Sequence, residues 1–429
     1  MANPQFNRQS VFSELINNFL EVRKSTKLIS SRLSPEDTVP QSAFYTSPTK
    51  WHLAHTTWFY EQFILQPFLS NYVVFEKDFN TLFNSYYTSM GDLYDRKKRG
   101  LVTRPTLCEV FKYRDHIDGK IIDLLTNYTG ENSEIIALRM TLGLHHEQQH
   151  QELILTDIKH LLWQNPTLPV FQAKNGGEIC DAFTKYNTGN ISVKGGVQKI
   201  GANAQEGFCF DNEMPRHRIF LNDFIISSKA ITNQQYIEFI DDKGYENPLL
   251  WLSDGWEKKN RYCWTAPLYW ELFEDEWKQF TLNGIKKLNL KEPVCHVSFY
   301  EADAYCRWAG LRLPTEAEWE IASTKAPIGQ NFLERETFHP LVEQNSSEFF
   351  GNIWEWTNSS YLPYPGFQAS AGALGEYNGK FMINQMVLKG GSCFTPQSHI
   401  RATYRNFFYP EDRWQISGIR PVVNDAGRL

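Results

Sequence analysis

The pattern of apolar and polar residues changes character part of the way along the chain. Between residues 8 and 162, apolar positions recur with the 3.6-residue period of helices and internal glycines are few. The long segments with this period are residues 11–26, 51–65, 106–127 and 134–163. From residue 191 onward the pattern breaks into short apolar runs with many glycines, tryptophans and irregular stretches. The first part therefore predicts a helix bundle, and the second predicts a domain with little regular structure.

A change in composition marks the boundary between these two parts. The helical signal ends near Asn165, and Pro166, Pro169, Gly176 and Gly177 follow it. We therefore predict an α+β protein of two domains. A four-helix bundle takes residues 1–165, a connector takes 166–190, and the second domain takes 191–429.

Composition and charge narrow the class of protein. The formal net charge of -6 over 429 residues argues against a broad nucleic-acid footprint. The seven cysteines are scattered, odd in number and form no C-x-x-C pair, which favours a reducing compartment. No apolar run reaches the length of a membrane span. These features predict a soluble cytoplasmic protein without nucleic-acid or membrane partners, and they leave its oligomeric state open.

A pair of histidines in the last long helical segment is the clearest chemical signal. His146 and His150 are four residues apart, so on an α-helix both imidazoles can bind one metal ion. They belong to an inward stripe with helical period, whereas His145 points off it. The stripe consists of Leu142, His146, Gln149, His150, Leu153 and Ile154.

A third ligand is expected from the second helical segment. We predict that this helix begins with Ser47 as N-cap and Pro48 at its first position. Its inward stripe is Trp51, His55, Trp58, Phe59 and Gln62. His55 is therefore the candidate, and His52, on a flanking face, is its rival. Three neutral imidazoles leave up to three positions open on an octahedral Fe(II), but they also suit a catalytic zinc with bound water.

A competing reading comes from the literal string HEQQH at residues 146–150, which matches the H-E-x-x-H of zinc metalloproteases. In that class the glutamate, here Glu147, is the general base. The downstream extension of one subclass is absent, because Leu153 and Thr156 stand where Gly and His are required. No helix follows that could supply a third ligand before the connector. A third alternative is a lectin-like binding module with a closed structural metal site.

Motifs from both halves of the chain resemble one enzyme family. The strings WHLAH and HEQQH resemble the DinB-like helix bundle of the ergothioneine-type sulfoxide synthases. The strings LRLPTEAEWE, GNIWEWT, GGS and GIRP resemble formylglycine-generating-enzyme-like domains, which have a C-type-lectin-like core. They begin at Leu311, Gly351, Gly390 and Gly418. The order of the two halves is specific for the sulfoxide synthases, with the second domain forming a substrate wall.

The resemblance implies a reaction, a cofactor and a set of ligands. A mononuclear non-haem Fe(II) enzyme of this family uses O₂ to join a thiol sulfur to C2 of the imidazole of Nα-trimethylhistidine (hercynine), giving an S-oxidised thioether. The positions that match its iron ligands are His55, His146 and His150, which agrees with the helical faces above. Gln149 matches a residue that orients the bound imidazole.

Further residues are carried over from the resemblance. Tyr86 and Tyr87 resemble the tyrosine pair of the cysteine-using branch, in which a phenol near the metal donates a proton or hydrogen; which of the two does so is left open. Arg96 and Arg99 match the region that holds the carboxylate of the thiol substrate. Related enzymes of the ovothiol and selenoneine type use plain histidine or a selenium donor, so the donor pair stays open.

The last matched segment lies near the C-terminus. Asn406 is expected to donate to the betaine carboxylate, while Phe407 and Phe408 suit a quaternary ammonium. The branch that uses γ-glutamylcysteine carries an acidic residue where Phe408 stands, which favours cysteine as the donor. The cysteine pair of the formylglycine-generating enzymes is absent, because Thr395 and Ile400 occupy its positions.

Overall fold

The computed structural model describes residues 7–172, 189–329, 331–344 and 348–423. It divides into two compact units. Unit 1 consists of Met1–Asn165 and Ala371–Tyr377, and unit 2 of Pro166–Ser370 and Asn378–Leu429. Most of the connector predicted at 166–190, including Gly176 and Gly177, lies outside the described residues. Unit 1 thus includes one short segment that is distant in sequence from its helices.

Unit 1 is built from helices whose bounds are close to those predicted from the hydrophobic period. They are α1 (Arg8–Ser30), α2 (Thr49–Tyr60), α3 (Gln66–Phe68), α4 (Phe79–Phe83), α5 (Leu107–Asn127) and α6 (Ser133–Gln164). A π-helical turn, Glu61–Leu65, joins α2 to α3. Helix α5 begins with a capping box between Thr106 and Glu109, which satisfies free amides of its first turn.

Helix α2 is the centre of unit 1. Every one of its residues is buried, and it packs against both α5 and α6. The prediction of Ser47 as its N-cap is wrong. Pro48, with extended backbone, occupies that position, and the Ser47 hydroxyl instead accepts a hydrogen bond from Arg99 at 3.0 Å. A tertiary contact has taken the oxygen that a local cap would have used.

Unit 2 combines short strands and helices with long irregular connections. Its helices are α7 (Asn233–Asp241), α8 (Ser253–Arg261), α9 (Phe299–Trp308) and α10 (Glu316–Ser323). Its strands are β1 (Asn190–Val193), β2 (Gly196–Ile200), β3 (His217–Leu221), β4 (Phe224–Ser227), β5 (Trp270–Phe273), β6 (Glu276–Thr281), β7 (Gly284–Lys287), β8 (Leu311–Arg312), β9 (Trp354–Ser360), β10 (Met386–Lys389), β11 (Asn406–Phe408), β12 (Ser417–Gly418) and β13 (Val422–Val423).

These strands form small sheets in non-sequential order. One sheet runs β1-β4-β13-β8 and another runs β11-β10-β9-β12, with two further antiparallel sheets, β2-β3 and β5-β6-β7. Strand β12 pairs with β9 in parallel, so that Gly418 lies opposite Glu355. The order of the strands in these sheets therefore differs from their order along the chain, and short strands alternate with helices, which agrees with the predicted α+β fold.

The motifs that carry the resemblance build the core of unit 2. Glu355, from the string GNIWEWT, accepts hydrogen bonds from the Trp319 indole at 2.6 Å and from Arg420 Nε at 2.8 Å. Trp319 comes from the string LRLPTEAEWE and Arg420 from the string GIRP. Gly390 has a φ of 104°, and a Cβ there would lie 2.6 Å from the Phe349 carbonyl oxygen. These motif residues thus serve the packing of the core and the pairing of its buried charges.

None of the described helices combines the length and the apolar composition that crossing a membrane requires.

Candidate metal centre

Three buried histidines converge inside unit 1. His55 of α2 and His146 and His150 of α6 each offer a ring nitrogen, and these three atoms lie within 4.8 Å of one another. The Nε2 atoms of His55 and His146 are 3.1 Å apart. The structure therefore brings together the three residues that the helical faces selected. We refer to them as the histidine cluster.

Aromatic side chains of α2 hold these rings in place. The Trp51 indole stacks on His55 with ring centroids 4.6 Å apart, and Trp58 lies on the same imidazole at 5.7 Å. Phe59 contacts the ring of His146 at 4.6 Å. Because α2 is buried along its whole length, its aromatic residues can surround the histidines and keep water from them.

The outer nitrogens of the cluster are held in three different ways. His55 Nδ1 lies 2.6 Å from the carbonyl oxygen of Phe83, and His150 Nδ1 lies 2.7 Å from Nδ1 of His52. His146 Nδ1 has no hydrogen-bond partner within the described parts of the chain. His52, the rival ligand, thus contacts a member of the cluster from outside and does not belong to it.

Electrostatics keep these imidazoles neutral. Burial lowers the pKa of His146 to about 3, and it lowers the pKa of His55 and His150 well below the usual value. Neutral imidazole is the form that binds metal ions. The Phe83 carbonyl accepts a hydrogen bond from Nδ1–H of His55. The lone pair of this neutral ring is therefore on Nε2, which faces His146. Three such nitrogens around one point fit a divalent metal with open positions.

Glu147 is on a different face of α6 and belongs to a different cluster. Its two carboxylate oxygens accept hydrogen bonds from Arg23 and Arg114, each at 2.8 Å, and the residue is fully buried. Burial alone would raise its pKa, but the two guanidiniums outweigh it and hold the pKa at about 2. A carboxylate with both oxygens engaged away from the histidines has no position from which to act as the base of a zinc hydrolase.

Tyr377 lies at the site but was not predicted from the sequence. It lies in the segment 371–377, and its ring centroid is 5.7 Å from that of His146. Its hydroxyl donates to the side-chain oxygen of Gln149, a predicted site residue. More than two hundred residues separate Tyr377 from Gln149, so no local pattern links them. The segment is attached through Glu376, whose carboxylate accepts from the Thr88 amide at 3.0 Å and from the Ser89 amide at 3.1 Å.

The predicted tyrosine pair lies beside this segment. Tyr87 is fully buried, with its ring 5.7 Å from that of Trp58, and burial raises the pKa of its phenol well above the usual value. Tyr86 donates a hydrogen bond to the Tyr87 hydroxyl at 3.4 Å, and its ring lies 6.3 Å from that of Tyr377. The rings of Tyr87, Tyr86 and Tyr377 therefore follow one another in this order, and Tyr377 contacts His146 of the histidine cluster.

The two predicted arginines differ in environment. Arg99 is buried, with its guanidinium carbon 3.4 Å from the ring centroid of Trp51. Its Nη1 donates to Ser47, while Nε has no hydrogen-bond partner in the described residues. Burial lowers the pKa of this guanidinium, and the charge of Arg96 lowers it further. Arg96 itself is exposed and donates to the carbonyl oxygen of Tyr45.

The remaining predicted residues lie in unit 2. Asn406, Phe407 and Phe408 form strand β11. Phe407 stacks on Tyr361 with centroids 4.0 Å apart, and Phe408 meets Trp414 edge-on at 5.3 Å. The side-chain oxygen of Asn406 accepts from the Phe407 amide at 2.9 Å. Their contact with a substrate stays a prediction.

Comparison with known proteins gives this arrangement a family. Residues 178–349 and 346–425 match the family model described as a sulfatase-modifying factor enzyme 1-like domain. Hercynine oxygenase of Mycolicibacterium smegmatis is 28% identical over 360 residues, which cover 77% of this chain and 81% of the relative. Hercynine oxygenase of Mycobacterium tuberculosis is 31% identical over 301 residues, which cover 64% of this chain and 69% of the relative. The solved structure of PvdO from Pseudomonas aeruginosa is 15% identical, with a TM-score of 0.39, and covers 54% of this chain and 93% of its own.

The match to the family model defines the class of the C-terminal domain, and the relatives define the family of the chain. The family model covers more than half of the chain and makes its C-terminal part a sulfatase-modifying-factor-like domain. Over most of its length the chain belongs to the hercynine oxygenase family, and it is therefore an oxidoreductase. The predicted family resemblance, fold class and enzyme class are confirmed.

Proposed function

We propose that this protein is a mononuclear, Fe(II)-dependent sulfoxide synthase that joins the sulfur of cysteine to C2 of the hercynine imidazole. The observation that carries the proposal is the convergence of His55, His146 and His150 as neutral, buried imidazoles in a member of the hercynine oxygenase family. These three residues would hold the iron. A bound Fe(II) would supply O₂ activation and coordination positions for the substrates.

The stoichiometry of this reaction needs no outside reductant. Forming the carbon–sulfur bond removes one hydrogen from the thiol and one from C2 of the imidazole. One atom of O₂ becomes the sulfoxide oxygen, and the other leaves as water with those two hydrogens. The protein must therefore bind two small substrates, exclude water and manage protons.

Arg99 is suited to bind the carboxylate of the thiol substrate. Its charge is buried and has no ion-pair partner among the described residues, so a substrate carboxylate would compensate it. Trp51 contacts both this guanidinium and His55, which places the charge close to the histidine cluster. Arg96, already bonded to a backbone carbonyl at the surface, is less suited than Arg99.

Gln149 and the three tyrosines are suited to orient the imidazole and to supply a proton. Gln149 is next to His150 on α6, and the hydroxyl of Tyr377 donates to its carbonyl oxygen, which fixes the direction of the amide. The ring of Tyr377 lies 5.7 Å from that of His146, and Tyr86 stands between Tyr377 and Tyr87. Tyr377 therefore joins Tyr86 and Tyr87 as a candidate proton donor.

The test is O₂ consumption by protein that is loaded anaerobically with Fe(II) and given hercynine with cysteine. We expect O₂ uptake and a hercynine–cysteine adduct whose mass includes one added oxygen atom. Parallel samples with γ-glutamylcysteine and with plain histidine identify the donor pair. Absence of uptake with all pairs, by protein that binds Fe(II) at one equivalent, would contradict the proposed reaction. Zn(II)-loaded protein is the control for hydrolytic chemistry.

A further inference from the structure

His52 lies between the histidine cluster and a buried carboxylate. Its Nδ1 is 2.7 Å from Nδ1 of His150, and its Nε2 is 3.1 Å from Oδ2 of Asp157. The same carboxylate oxygen accepts the backbone amide of Ser47 at 2.8 Å. His52 is 2% exposed and Asp157 7% exposed, so these contacts are made away from bulk water.

Counting protons assigns each donor in this chain of contacts. An ionised carboxylate can only accept, so Nε2 of His52 must donate to Asp157. A neutral imidazole carries one proton, which leaves Nδ1 of His52 as an acceptor. The atom facing it, Nδ1 of His150, must then be the donor. His150 is thereby held as the tautomer with its proton on Nδ1, and its Nε2 keeps the lone pair that a metal requires.

The arrangement follows from positions on two helices. His52 precedes His55 by three residues on α2, and Asp157 follows His150 by seven on α6, so each partner is on the face next to a ligand. For His55 the Phe83 carbonyl does the equivalent task with a backbone atom. Among the described contacts of the cluster, the outer nitrogen of His150 is the one held by side chains, and these can be changed one at a time.

We propose that His52, anchored by Asp157, is a positioning residue that fixes the tautomer and orientation of His150 for metal binding. The inference rests on the proposed metal centre. Partners of this kind on ligating histidines typically change metal affinity by about 10- to 100-fold when they are removed. His52 therefore acts through His150 and is not itself a ligand.

The first test does not involve metal. In metal-free protein labelled with ¹⁵N-histidine, long-range ¹H–¹⁵N spectra report which ring nitrogen carries the proton. We expect His150 to be protonated on Nδ1 in the wild type and to lose this single tautomer in His52→Leu. A His150 protonated on Nε2 in the wild type would overturn the inference, whatever the metal affinity.

The second test is anaerobic titration with Co(II), followed by its visible absorption. We expect His52→Leu to weaken Co(II) binding by about 10- to 100-fold and to change the spectrum. In His52→Asn the amide oxygen can replace the Nδ1 acceptor, so most of the affinity should return. The matched control is His160→Leu, which removes a buried histidine of α6 whose Nδ1 lies 2.7 Å from the Ser42 hydroxyl.

The outcomes separate the two proposals. Wild-type affinity in His52→Leu, or equal losses in His52→Leu and His160→Leu, would overturn the positioning role while leaving the metal centre intact. If the wild type shows the expected tautomer but binds neither Co(II) nor Fe(II), the proposed function fails and the positioning role for a metal fails with it.

Discussion

His146 and Glu147 are neighbours on helix α6, yet they belong to two buried polar clusters of opposite character. His146 faces the histidine cluster, in which neutral nitrogens point at one another. Glu147 faces what we call the ion-pair cluster, Arg23, Arg114, Asp118 and Glu147, in which charged groups of opposite sign are in contact. One residue along a helix turns the side chain by about 100°, which is enough to separate the two.

The difference between the clusters is whether the protein satisfies its own polar groups. Both oxygens of Glu147 are bonded, and Arg114 also donates to the Leu53 carbonyl at 2.9 Å. In the histidine cluster the Nε2 lone pair of His55 meets only another imidazole, and Nδ1 of His146 has no hydrogen-bond partner among the residues described. A satisfied cluster stabilises the fold, whereas an unsatisfied one is suited to bind something else.

The largest effect is expected from His146→Leu, which removes a ligand and leaves an apolar side chain against the ring of Phe59. Metal binding at one equivalent should be lost, and Fe(II)-dependent turnover should fall by at least about 100-fold. Stability of the metal-free protein should change little, because a buried imidazole with an unbonded nitrogen is replaced. Metal analysis and thermal unfolding of the same samples measure both. Retention of metal would show that the cluster is not the site.

Glu147→Gln should have the opposite profile. Removing one partner of a buried ion pair leaves guanidinium charge uncompensated, so we expect the free energy of unfolding to drop by about 3 to 5 kcal/mol. The folded fraction should still bind metal. Glu134→Gln, at an exposed position of the same helix, is the matched control with a change below about 0.5 kcal/mol. Loss of metal-dependent activity at unchanged stability would instead revive the hydrolase reading.

These two neighbours also show what the sequence could predict. The helical period alone selects His55 on the inward stripe of α2, and His146 and His150 on the inward stripe of α6. It can do so because each stripe is a local pattern within one helix. The same period could have revealed Asp157, seven residues after His150 on the same face. Tyr377 could not be found in this way, since only the tertiary fold brings residues 371–377 to the helices. The prediction of Ser47 as a cap failed for the same reason. The hydrogen bond from Arg99 to its hydroxyl is a tertiary contact, which a local pattern does not reveal.

Arg99 combines features of both clusters, because it is a buried charge that forms no ion pair within the part of the chain that the structure describes. We expect Arg99→Met to raise the KM for the thiol by about 10- to 100-fold, which corresponds to the loss of one hydrogen-bonded charge pair. The KM for hercynine should change much less. Arg96→Met is the control, and steady-state O₂ uptake with one substrate varied at a time measures both constants. Equal effects of the two variants on the thiol would contradict the assignment.

The three phenols test how far the histidine cluster extends. Tyr86→Phe, Tyr87→Phe and Tyr377→Phe each remove one hydroxyl and keep the ring packing. The variant that lacks the proton donor should divert turnover from carbon–sulfur bond formation toward oxidation of the thiol alone. Mass spectrometry of the products gives the ratio. Wild-type ratios in all three variants would remove these tyrosines from the chemistry.

A carboxylate in unit 2 sharpens the comparison, because it faces too few positive charges where Glu147 faces two. A carboxylate oxygen of Glu343 lies 3.6 Å from the guanidinium of Arg420, which also pairs with Glu355. The negative charge of Glu348 repels that of Glu343. Burial and these acidic neighbours raise its pKa to about 7, against the compensation from Arg420. The single arginine is therefore not enough to keep this acid ionised below neutral pH.

The sign of the resulting pH dependence follows from proton uptake. Between about pH 4.5, its value when unfolded, and pH 7 the folded protein holds the proton of Glu343 more tightly than the unfolded chain does. Stability from this group should thus fall as pH rises through that window, by at most about 1.4 kcal/mol per pH unit, and level off above it. In Glu343→Gln this fall should disappear from unfolding free energies measured between pH 4.5 and 8. An identical slope in the variant would mean that Glu343 is ionised across the window, as Glu147 is with its two arginines.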